Sequence, residues 1–367
     1  MSMRQDSSFG SPAGGGEPCP PFSTPALVVD LDVFEANVAA MAGLLRGTGK
    51  TVRPHVKTHR TPELAVRSLG GPAVGVTCAT VGEAEAMVAA GIDDVLVANE
   101  VVDPGKIERL ATLARDARVA VAADDPAPLE TLSRAAAAAG VTIGVLVDVD
   151  VLLGRCGVTS AADAVALAAA IDRLPGLRLG GIMGYEGRLR LSVEDRSGKI
   201  DRAYGLLAEV RAALLAAGFP VEVVSASGTS TLREALADPT ITELQAGVYA
   251  LMEPELLVMD LPFRCAVTVR GTVISRHPGR AVLDVGRRNV GLENGPPVPS
   301  GFTATGVKVN DEHTILAMRD PLPELGAVLD LVPGQIRTTF NQYDRVWLAR
   351  AGEIVDCWPV TARGRSW

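Results

Sequence analysis

Strand-like and helix-like segments alternate along most of the chain. The strand-like runs are rich in Val, Ile and Leu, and most precede an Ala-rich stretch with apolar positions at helical spacing. They read TVRPHVK, AVGVTCAT, DVLVANE, VAVAADD, IGVLVDVD, LRLGGIMGYEG, VEVVSASGT and ITELQAGVYA. Near-continuous apolar strands are typical of a parallel sheet that is covered on both faces. Eight such units in about 230 residues favour a closed (β/α)8 TIM-type barrel over an open doubly wound sheet, since no Gly-x-Gly-x-x-Gly follows the first strand.

Two other patterns flank this series. Residues 1–22 are rich in Gly, Pro and Ser without periodicity, which predicts a mobile tail. Over 261–367, short strands separated by Gly, Pro and Asp turns replace the helical periodicity, which predicts a C-terminal all-β domain. The barrel is therefore predicted over 23–260. The strand at 26–32 has no helix before it and is a candidate to join the β domain instead.

Composition narrows the function classes. The net charge of -8, the pI near 5.2 and an aromatic content of 4% argue against a nucleic-acid partner, which needs a basic surface and stacking rings. The five cysteines are odd in number and form no Cys-x-x-Cys pair, which argues against a disulfide framework or a structural zinc site. We find no signal-peptide pattern and no apolar run of membrane-spanning length, so the expected location is cytoplasmic, without a membrane partner.

Candidate functional residues follow from the fold, because barrel sites lie at the C-terminal ends of the strands. Lys57 ends the first strand two residues after His55, where an amine can approach a phosphate or form a Schiff base. Arg155 lies on a glycine-bounded loop after strand five and can donate to an oxyanion or phenolate. Tyr185 follows strand six between glycines. Each residue alone is equally compatible with an ordinary surface or packing role.

The loops after strands seven and eight predict a phosphate site. Ser227, Gly228 and Thr229 form a hydroxyl-rich turn that leads into a helix, where N–H groups bind phosphate well, although such a cluster can also be an ordinary helix cap. Gly247 lets a ligand approach the backbone, and Tyr249 offers a hydroxyl. A phosphate on this wall with a lysine across the barrel fits pyridoxal 5'-phosphate, an electron sink for carbanion chemistry.

The motifs RPHVKT, VDVDVLLGRCGV, GYEG, SGTST and ELQAGVY occur in this order. From TPALVVDLD to its C-terminus the chain resembles the D-threonine aldolase and D-serine dehydratase family of alanine-racemase-like (fold-type III) pyridoxal phosphate enzymes. The resemblance implies that Lys57 binds the cofactor and acts as base, that Arg155 lies beside its 3-hydroxyl and that Tyr185 lies near its pyridine ring. It also implies a homodimer. The implied phosphate cradle is Ser227, Gly228, Thr229, Gly247 and Tyr249, and His55 would line the pocket.

One departure from the family pattern concerns metal binding. Metal-dependent relatives carry a His-x-Cys or His-x-Asp pair in the β domain, between a Pro and an Asn. Here the matching stretch is VPGQIRTTFNQYD, which places Gln335 and Arg337 at the ligand positions. Neither side chain is a good ligand for a divalent ion. We therefore expect no metal and expect Arg337 to bind the substrate's β-oxygen or a second carboxylate, unless the alignment slips and it is an ordinary strand residue.

These observations predict a lyase that acts on a small amino-acid substrate, a D-configured β-hydroxy amino acid. Metal-independent Cα–Cβ cleavage ranks first, with Lys57, Tyr185 and Arg337 as catalytic residues. Loss of hydroxide in a D-serine-dehydratase-like reaction ranks lower, because hydroxide leaves poorly without a Lewis acid. An amino-acid racemase or epimerase needs a second base, for which Cys156 and Tyr185 are candidates. A non-catalytic pyridoxal phosphate-binding protein is the remaining alternative.

Overall fold

The computed structural model describes residues 19–187, 189 and 191–367. The predicted mobile tail falls mostly on residues 1–18, outside this range, and Arg188 and Arg190 also lie outside it. The chain divides into two compact units. The barrel unit comprises Val38–Tyr249, Met259–Leu261 and Gly364–Trp367, and the β unit comprises the described part of Met1–Asn37 with Ala250–Val258 and Pro262–Arg363.

The elements are named in chain order. Among the described residues, the strands are β1 Ala26–Asp30, β2 Thr51–Val52, β3 Val76–Cys78, β4 Asp94–Glu100, β5 Arg118–Ala123, β6 Ile143–Asp148, β7 Leu177–Met183, β8 Val223–Ala226, β9 Glu243–Leu244, β10 Val267–His277, β11 Arg280–Leu283, β12 Val298–Ser300, β13 Gly306–Val309, β14 Thr314–Ala317, β15 Val328–Val332, β16 Arg345–Arg350 and β17 Glu353–Pro359. The α-helices are α1 Leu31–Leu45, α2 Pro62–Arg67, α3 Val81–Ala89, α4 Pro104–Leu113, α5 Ala127–Ala139, α6 Ala161–Arg173, α7 Arg196–Ala216, α8 Leu232–Ala237 and α9 Ile336–Phe340. Short 3-10 helices lie at Val56–Thr58, Thr229–Thr231, Val248–Ala250 and Pro254–Met259.

The barrel unit contains an eight-stranded parallel sheet in the order β2-β9-β8-β7-β6-β5-β4-β3. Single parallel bridges, Val52 with Ala73 and His55 with Thr77, connect the two ends of this order. Strand β6 is buried along its whole length, as expected of a sheet covered on both faces. The (β/α)8 prediction is thereby confirmed.

The first barrel strand is shorter than the sequence pattern predicts. Only Thr51 and Val52 have strand geometry, and Lys57 lies on the 3-10 helix that follows. Pro54 explains the difference, because proline has no N–H to donate to a ladder. Its carbonyl oxygen still accepts a hydrogen bond from the N–H of Thr77 (3.0 Å), so the segment remains fixed to its neighbour.

Side-chain caps fix where several helices begin. The hydroxyls of Thr80 and Ser160 and the carboxylate of Asp103 accept N–H hydrogen bonds at the first turns of α3, α6 and α4. Gly140, at a φ of 71°, ends α5 in the left-handed conformation that glycine adopts without strain. In the described part of the chain, no helix combines the length and the apolar character needed to cross a membrane.

The β unit is built around strand β1. The sheet order is β13-β14-β11-β10-β1-β16-β17, and β15 pairs with β10 and β12. Strand β1 is antiparallel to β10 and parallel to β16. Its side chains Ala26 and Val28 pack with Trp347 and Ala349 in a buried cluster. The early strand of the sequence thus pairs within the β unit.

The sequence argument against disulfides was wrong for one pair of cysteines. Cys19 and Cys357 are bonded, with Cα atoms 5.8 Å apart, across a sequence separation of 338 residues. Phe22 contacts the ring of Trp347 edge-on at a centroid distance of 5.2 Å. Residues 19–22, counted with the tail in the sequence analysis, are therefore anchored on the β unit. Such a bridge cannot be read from spacing, because only the folded sheet brings the two residues together.

Candidate active site

The segment that carries Lys57 is anchored by a buried arginine. Arg53 Nη1 lies 2.5 Å from Oδ1 of Asp94, and its Nε lies 3.0 Å from Oε2 of Glu243. These carboxylates come from the starts of β4 and β9, so one guanidinium connects three strands. Truncating one partner of such a buried ionic network costs several kcal/mol, roughly 3–5. The start of the lysine segment is therefore held firmly.

His59 and Arg60, which follow Lys57 in the sequence, are held by their surroundings. His59 is 3% exposed, and burial lowers its pKa to about 3, so the ring is neutral at physiological pH. Its Nδ1 accepts a hydrogen bond from the N–H of Thr61 (3.1 Å). Arg60 Nε lies 3.2 Å from Oε1 of Glu83, which is buried at the start of α3. Both side chains thus fix the end of the lysine segment.

Three of the predicted residues meet at the ring of Tyr185. Lys57 Nζ lies 5.8 Å and Arg155 Cζ lies 5.7 Å from its centroid. These distances are typical of cation–π contacts, although Arg155 is itself exposed. Gly228 approaches the same ring, since a Cβ there would lie 3.3 Å from Tyr185 Cε2. Residues that follow β2, β6, β7 and β8 therefore converge on one aromatic ring.

The predicted phosphate loops contact each other. The N–H of Tyr249 donates to Oγ1 of Thr229 (3.0 Å). Ser227 is 1% exposed and has a φ of 72°, a left-handed conformation that is strained for a residue with a side chain. Tyr249 is also buried, and burial raises the pKa of its hydroxyl above its ordinary value. These contacts form one structured wall from the ends of β8 and β9.

Gly247 brings this wall against the lysine segment. A Cβ at this position would lie 2.4 Å from the carbonyl oxygen of His55 and 2.8 Å from Oγ1 of Thr58. Lys57 lies between these two residues in sequence. Only glycine permits this close approach. The residue that the sequence assigned to a phosphate cradle therefore also packs against the backbone that presents the lysine.

Sequence reasoning missed Glu186, the neighbour of Tyr185. It is 6% exposed, and its Oε1 accepts hydrogen bonds from the hydroxyls of Thr231 and, at 3.5 Å, Tyr204. Burial raises the pKa of this carboxyl, and the hydrogen bond from Thr231 opposes the shift. The only signal in the sequence was a charged residue inside the apolar run GGIMGYEG. That signal did not distinguish a buried carboxyl from a solvated one.

Acidic groups cluster at the ends of β4 to β6. One carboxylate oxygen each of Glu100 and Asp124 and the Sγ of Cys156 lie within 4.8 Å of one another. Burial raises the pKa of Asp148 to about 8, the neighbouring Glu100 adds to the shift and Arg155 opposes it. Burial and Glu100 also raise the pKa of the Cys156 thiol to about 11. At neutral pH the cluster therefore retains protons on Asp148 and Cys156.

Gln335 and Arg337 belong to the β unit. Gln335 precedes α9, and its Oε1 lies 3.0 Å from the hydroxyl of Thr338, which lies 2.8 Å from Oε2 of Glu293, so the two acceptors share one hydroxyl proton. Arg337 is half-buried on α9. The N–H of Ile336 donates to the fully buried Glu253 (3.1 Å), which fixes the start of this helix. The amide of Gln335 thus takes part in a local hydrogen-bond network.

The residues of the barrel unit fit the cofactor predicted from the sequence. Lys57 supplies an amine, and the neighbouring ring of Tyr185 offers an apolar face beside it. Gly228 leaves open the space beside that ring which a Cβ would fill. Thr229 and the strained Ser227 backbone provide polar groups at the opposite loops. An amine, an aromatic face and a hydroxyl-lined turn are the groups that a phosphorylated pyridine aldehyde requires.

Comparison with known proteins gives a consistent result. The profile described as "Alanine racemase, N-terminal domain" matches residues 29–253, and that described as "Putative serine dehydratase domain" matches residues 266–349. D-threonine aldolase of Arthrobacter sp is 38% identical over 365 residues, covering 97% of this chain and 96% of that protein. 3-Hydroxy-D-aspartate aldolase of Paracoccus denitrificans (strain Pd 1222) is 35% identical over 360 residues, covering 94% and 93%.

A solved structure extends the similarity to three dimensions. The crystal structure of D-threonine aldolase from Filomicrobium marinum superimposes with a TM-score of 0.89 at 39% sequence identity. The match covers 94% of this chain and 97% of that one. The barrel and the mostly β unit therefore share the fold of that enzyme over nearly their whole length.

Proposed function

The chain belongs to the family of the alanine racemase N-terminal domain, and on that premise we propose that it is a pyridoxal phosphate-dependent lyase. It cleaves the Cα–Cβ bond of a D-configured β-hydroxy amino acid. The observation that carries the proposal is the convergence of Lys57 and Arg155 on the ring of Tyr185 at the strand ends of the barrel unit. Similarity to two aldolases along nearly the whole chain supports this choice of reaction.

The barrel unit would hold the cofactor through residues already described. Lys57 Nζ would bind its aldehyde carbon, Arg155 would contact its 3-hydroxyl, and the turn of Ser227, Gly228 and Thr229 would bind its phosphate. Tyr185 would face the pyridine ring and keep water from it. When bound, the cofactor supplies an electron sink for the pair of electrons left on Cα.

The protein's own task is then to bind and deprotonate the substrate. Cleavage of the Cα–Cβ bond requires that the β-hydroxyl lose its proton, so that the β-carbon leaves as an aldehyde. D-Threonine would give glycine and acetaldehyde. We assign Lys57 Nζ as the base that accepts the proton and Arg337 as the group that orients the β-oxygen. A positioned base contributes about 10²–10⁴-fold to such a step.

Metal independence is also part of the proposal. Gln335 and Arg337 occupy the sequence positions of the family's metal ligands, and a guanidinium repels a cation. The side-chain oxygen of Gln335 also contacts the hydroxyl of Thr338 within the β unit, so it already has a polar partner there. We therefore expect aldol cleavage to survive treatment with EDTA. A loss of activity that Mn²⁺ or Mg²⁺ restores would contradict this part of the proposal.

The main test combines the visible absorbance band of bound pyridoxal phosphate with a substrate screen. The protein should show the band and release aldehyde from D-threonine or D-phenylserine. Lys57→Ala should lose both. Arg337→Met should keep the band and lose most of its kcat/KM, whereas Arg280→Met, at an exposed arginine of the same unit, should change neither. The proposal fails if loaded protein cleaves no β-hydroxy amino acid.

A dehydratase is the second candidate, favoured by the serine dehydratase profile over residues 266–349. It would release ammonia and a keto acid from D-serine, which the same screen detects. Racemisation is less well supported, because the high pKa of the Cys156 thiol, about 11, leaves it protonated and a poor second base at neutral pH. Exchange of the Cα proton for deuterium with loss of optical activity would reverse this ranking.

Assembly and location complete the proposal. We propose a homodimer, which the resemblance to fold-type III enzymes implies, and a cytoplasmic location. Light scattering on the purified protein tests the first, and fractionation of the native cells tests the second. A monomer that is fully active would contradict the proposed assembly.

A further inference from the structure

The buried carboxyl of Glu186 connects three elements of the barrel unit. It follows Tyr185 in the loop after β7, and it accepts hydrogen bonds from Tyr204 on α7 and from Thr231 on the 3-10 helix after β8. Its second oxygen, Oε2, is buried and accepts no hydrogen bond of good geometry within the part of the chain that the structure describes, while the N–H groups of Ser227 and Gly228 lie close enough to the carboxyl to lower its pKa. Burying a polar group of this kind without full hydrogen bonding destabilises the folded protein. The buried carboxyl of Glu186 therefore calls for a functional explanation.

Thr231 connects Glu186 to the turn that is proposed to bind phosphate. Its Oγ1 accepts a hydrogen bond from the N–H of Gly228 (3.2 Å) and lies 3.2 Å from Oγ of Ser227. Ser227 is the residue with a φ of 72°, and a strained backbone of this kind persists only when its surroundings hold it. The hydroxyl of Thr231 thus contacts two of the three residues of this turn, Ser227 and Gly228.

The protonation state of Glu186 is compatible with an anion bound at the turn. Burial raises the pKa of the carboxyl and so favours the neutral acid. A phosphate bound at the turn would favour the neutral acid further, because like charges repel. Glutamine is therefore a close substitute, since its carbonyl oxygen can accept the same hydrogen bonds.

We propose that Glu186 is a positioning residue for phosphate binding. Its carboxyl holds Thr231, and Thr231 contacts the side chain of Ser227 and the backbone of Gly228, which keeps the turn in the conformation that receives the phosphate. Glu186 itself does not touch the ligand. The inference rests on the proposed function, because the phosphate is that of the proposed cofactor.

The test compares ligands with and without a phosphate. Affinities for pyridoxal phosphate, pyridoxal and inorganic phosphate are measured in Glu186→Ala, Glu186→Gln and Thr231→Val. We expect Glu186→Ala and Thr231→Val to weaken binding of the two phosphate-bearing ligands by roughly tenfold or more, the effect of removing one partner of a buried hydrogen bond. Binding of pyridoxal should stay within about twofold, and Gln should retain affinity within about threefold. Glu209→Ala, at an exposed glutamate of α7, is the matched control.

The double variant of Glu186→Ala and Thr231→Val separates positioning from general damage. If Glu186 acts through Thr231, the double variant should bind phosphate no more weakly than the worse single variant. Additive losses, or equal losses for pyridoxal and pyridoxal phosphate, would overturn the inference. So would a wild-type protein that does not prefer pyridoxal phosphate to pyridoxal. Wild-type protein that binds pyridoxal phosphate but cleaves no substrate would contradict the proposed function alone.

Discussion

Substitution of Gly247 by alanine probes the contact between the phosphate-side wall and the lysine segment. The new Cβ would lie 2.4 Å from the carbonyl oxygen of His55, whereas ordinary contacts begin at 3.4 Å. The two backbones must therefore separate by about 1 Å. Both are held in place, the lysine segment by the ion pairs of Arg53 and the wall by the hydrogen bond between Tyr249 and Thr229. Relaxation is thus resisted from both sides.

Two consequences of Gly247→Ala can be measured separately. Overpacking of this kind typically costs about 1–3 kcal/mol of stability. A displacement of about 1 Å at a catalytic group can lower kcat/KM by about 10²-fold. Denaturation in urea reports the first, and aldehyde release from a D-β-hydroxy amino acid reports the second. The visible band should weaken, because Lys57 no longer meets the cofactor in its ordinary geometry.

Gly205→Ala is the matched control for this substitution. Gly205 lies in α7 of the same unit, and a Cβ there meets no atom within 4 Å. Alanine is the better helix former, so the control should gain up to about 1 kcal/mol and keep full activity. If Gly247→Ala matches wild type in stability, band and activity, the contact does not control the position of Lys57. The reasoning about the close approach would then be refuted.

Two further predictions concern stability. Cys19→Ser or Cys357→Ser should lower the free energy of unfolding by about 3–5 kcal/mol, because the bridge closes a 338-residue span of chain; reducing agent should destabilise wild type but not the variants, and equal urea midpoints would contradict the bridge. For Asp148, the pKa of about 8 in the folded protein lies above its ordinary 3.8, so its contribution to stability is full below about pH 4 and is lost as the pH rises through about 8. Asp148→Asn should flatten this decline and be the more stable protein at pH 8, and an unchanged pH profile would refute the assignment.

The alternating pattern of the sequence was sufficient to predict the barrel. Eight near-continuous apolar runs, the pattern of strands covered on both faces, leave few other architectures, and the structure confirms the prediction. The extent of individual strands was less predictable. The pattern TVRPHVK looks like a continuous strand, but Pro54 ends the ladder after Val52 and moves Lys57 onto a helical turn. Hydrophobic periodicity records burial, and Val56 is buried whether it lies in a strand or a turn.

The candidate site was predictable where the type of a residue and its place after a strand together indicate a role. Lys57, Arg155 and Tyr185 were chosen from their places after strands, and the structure brings them to one ring. Their roles remain predictions. Glu186 and His59 were missed because their importance depends on burial, which a polar residue in a loop does not disclose. The bridge of Cys19 to Cys357 was missed because it depends on how the N-terminal segment packs.

During synthesis, strand β1 of the β unit waits longer for its pairing partners than most strands of the barrel unit do. The ribosome makes Val28 early, but its partners Thr268 and Trp347 emerge only after the whole of Val38–Tyr249. At about 5–20 residues per second, β1 must wait on the order of tens of seconds for its neighbours. Strands β3 to β9 of the barrel meet no such delay, because each pairs with the next along the chain. A nascent chain arrested before β16 would therefore carry β1 with an open edge, which is a template for pairing with other chains and a substrate for chaperones.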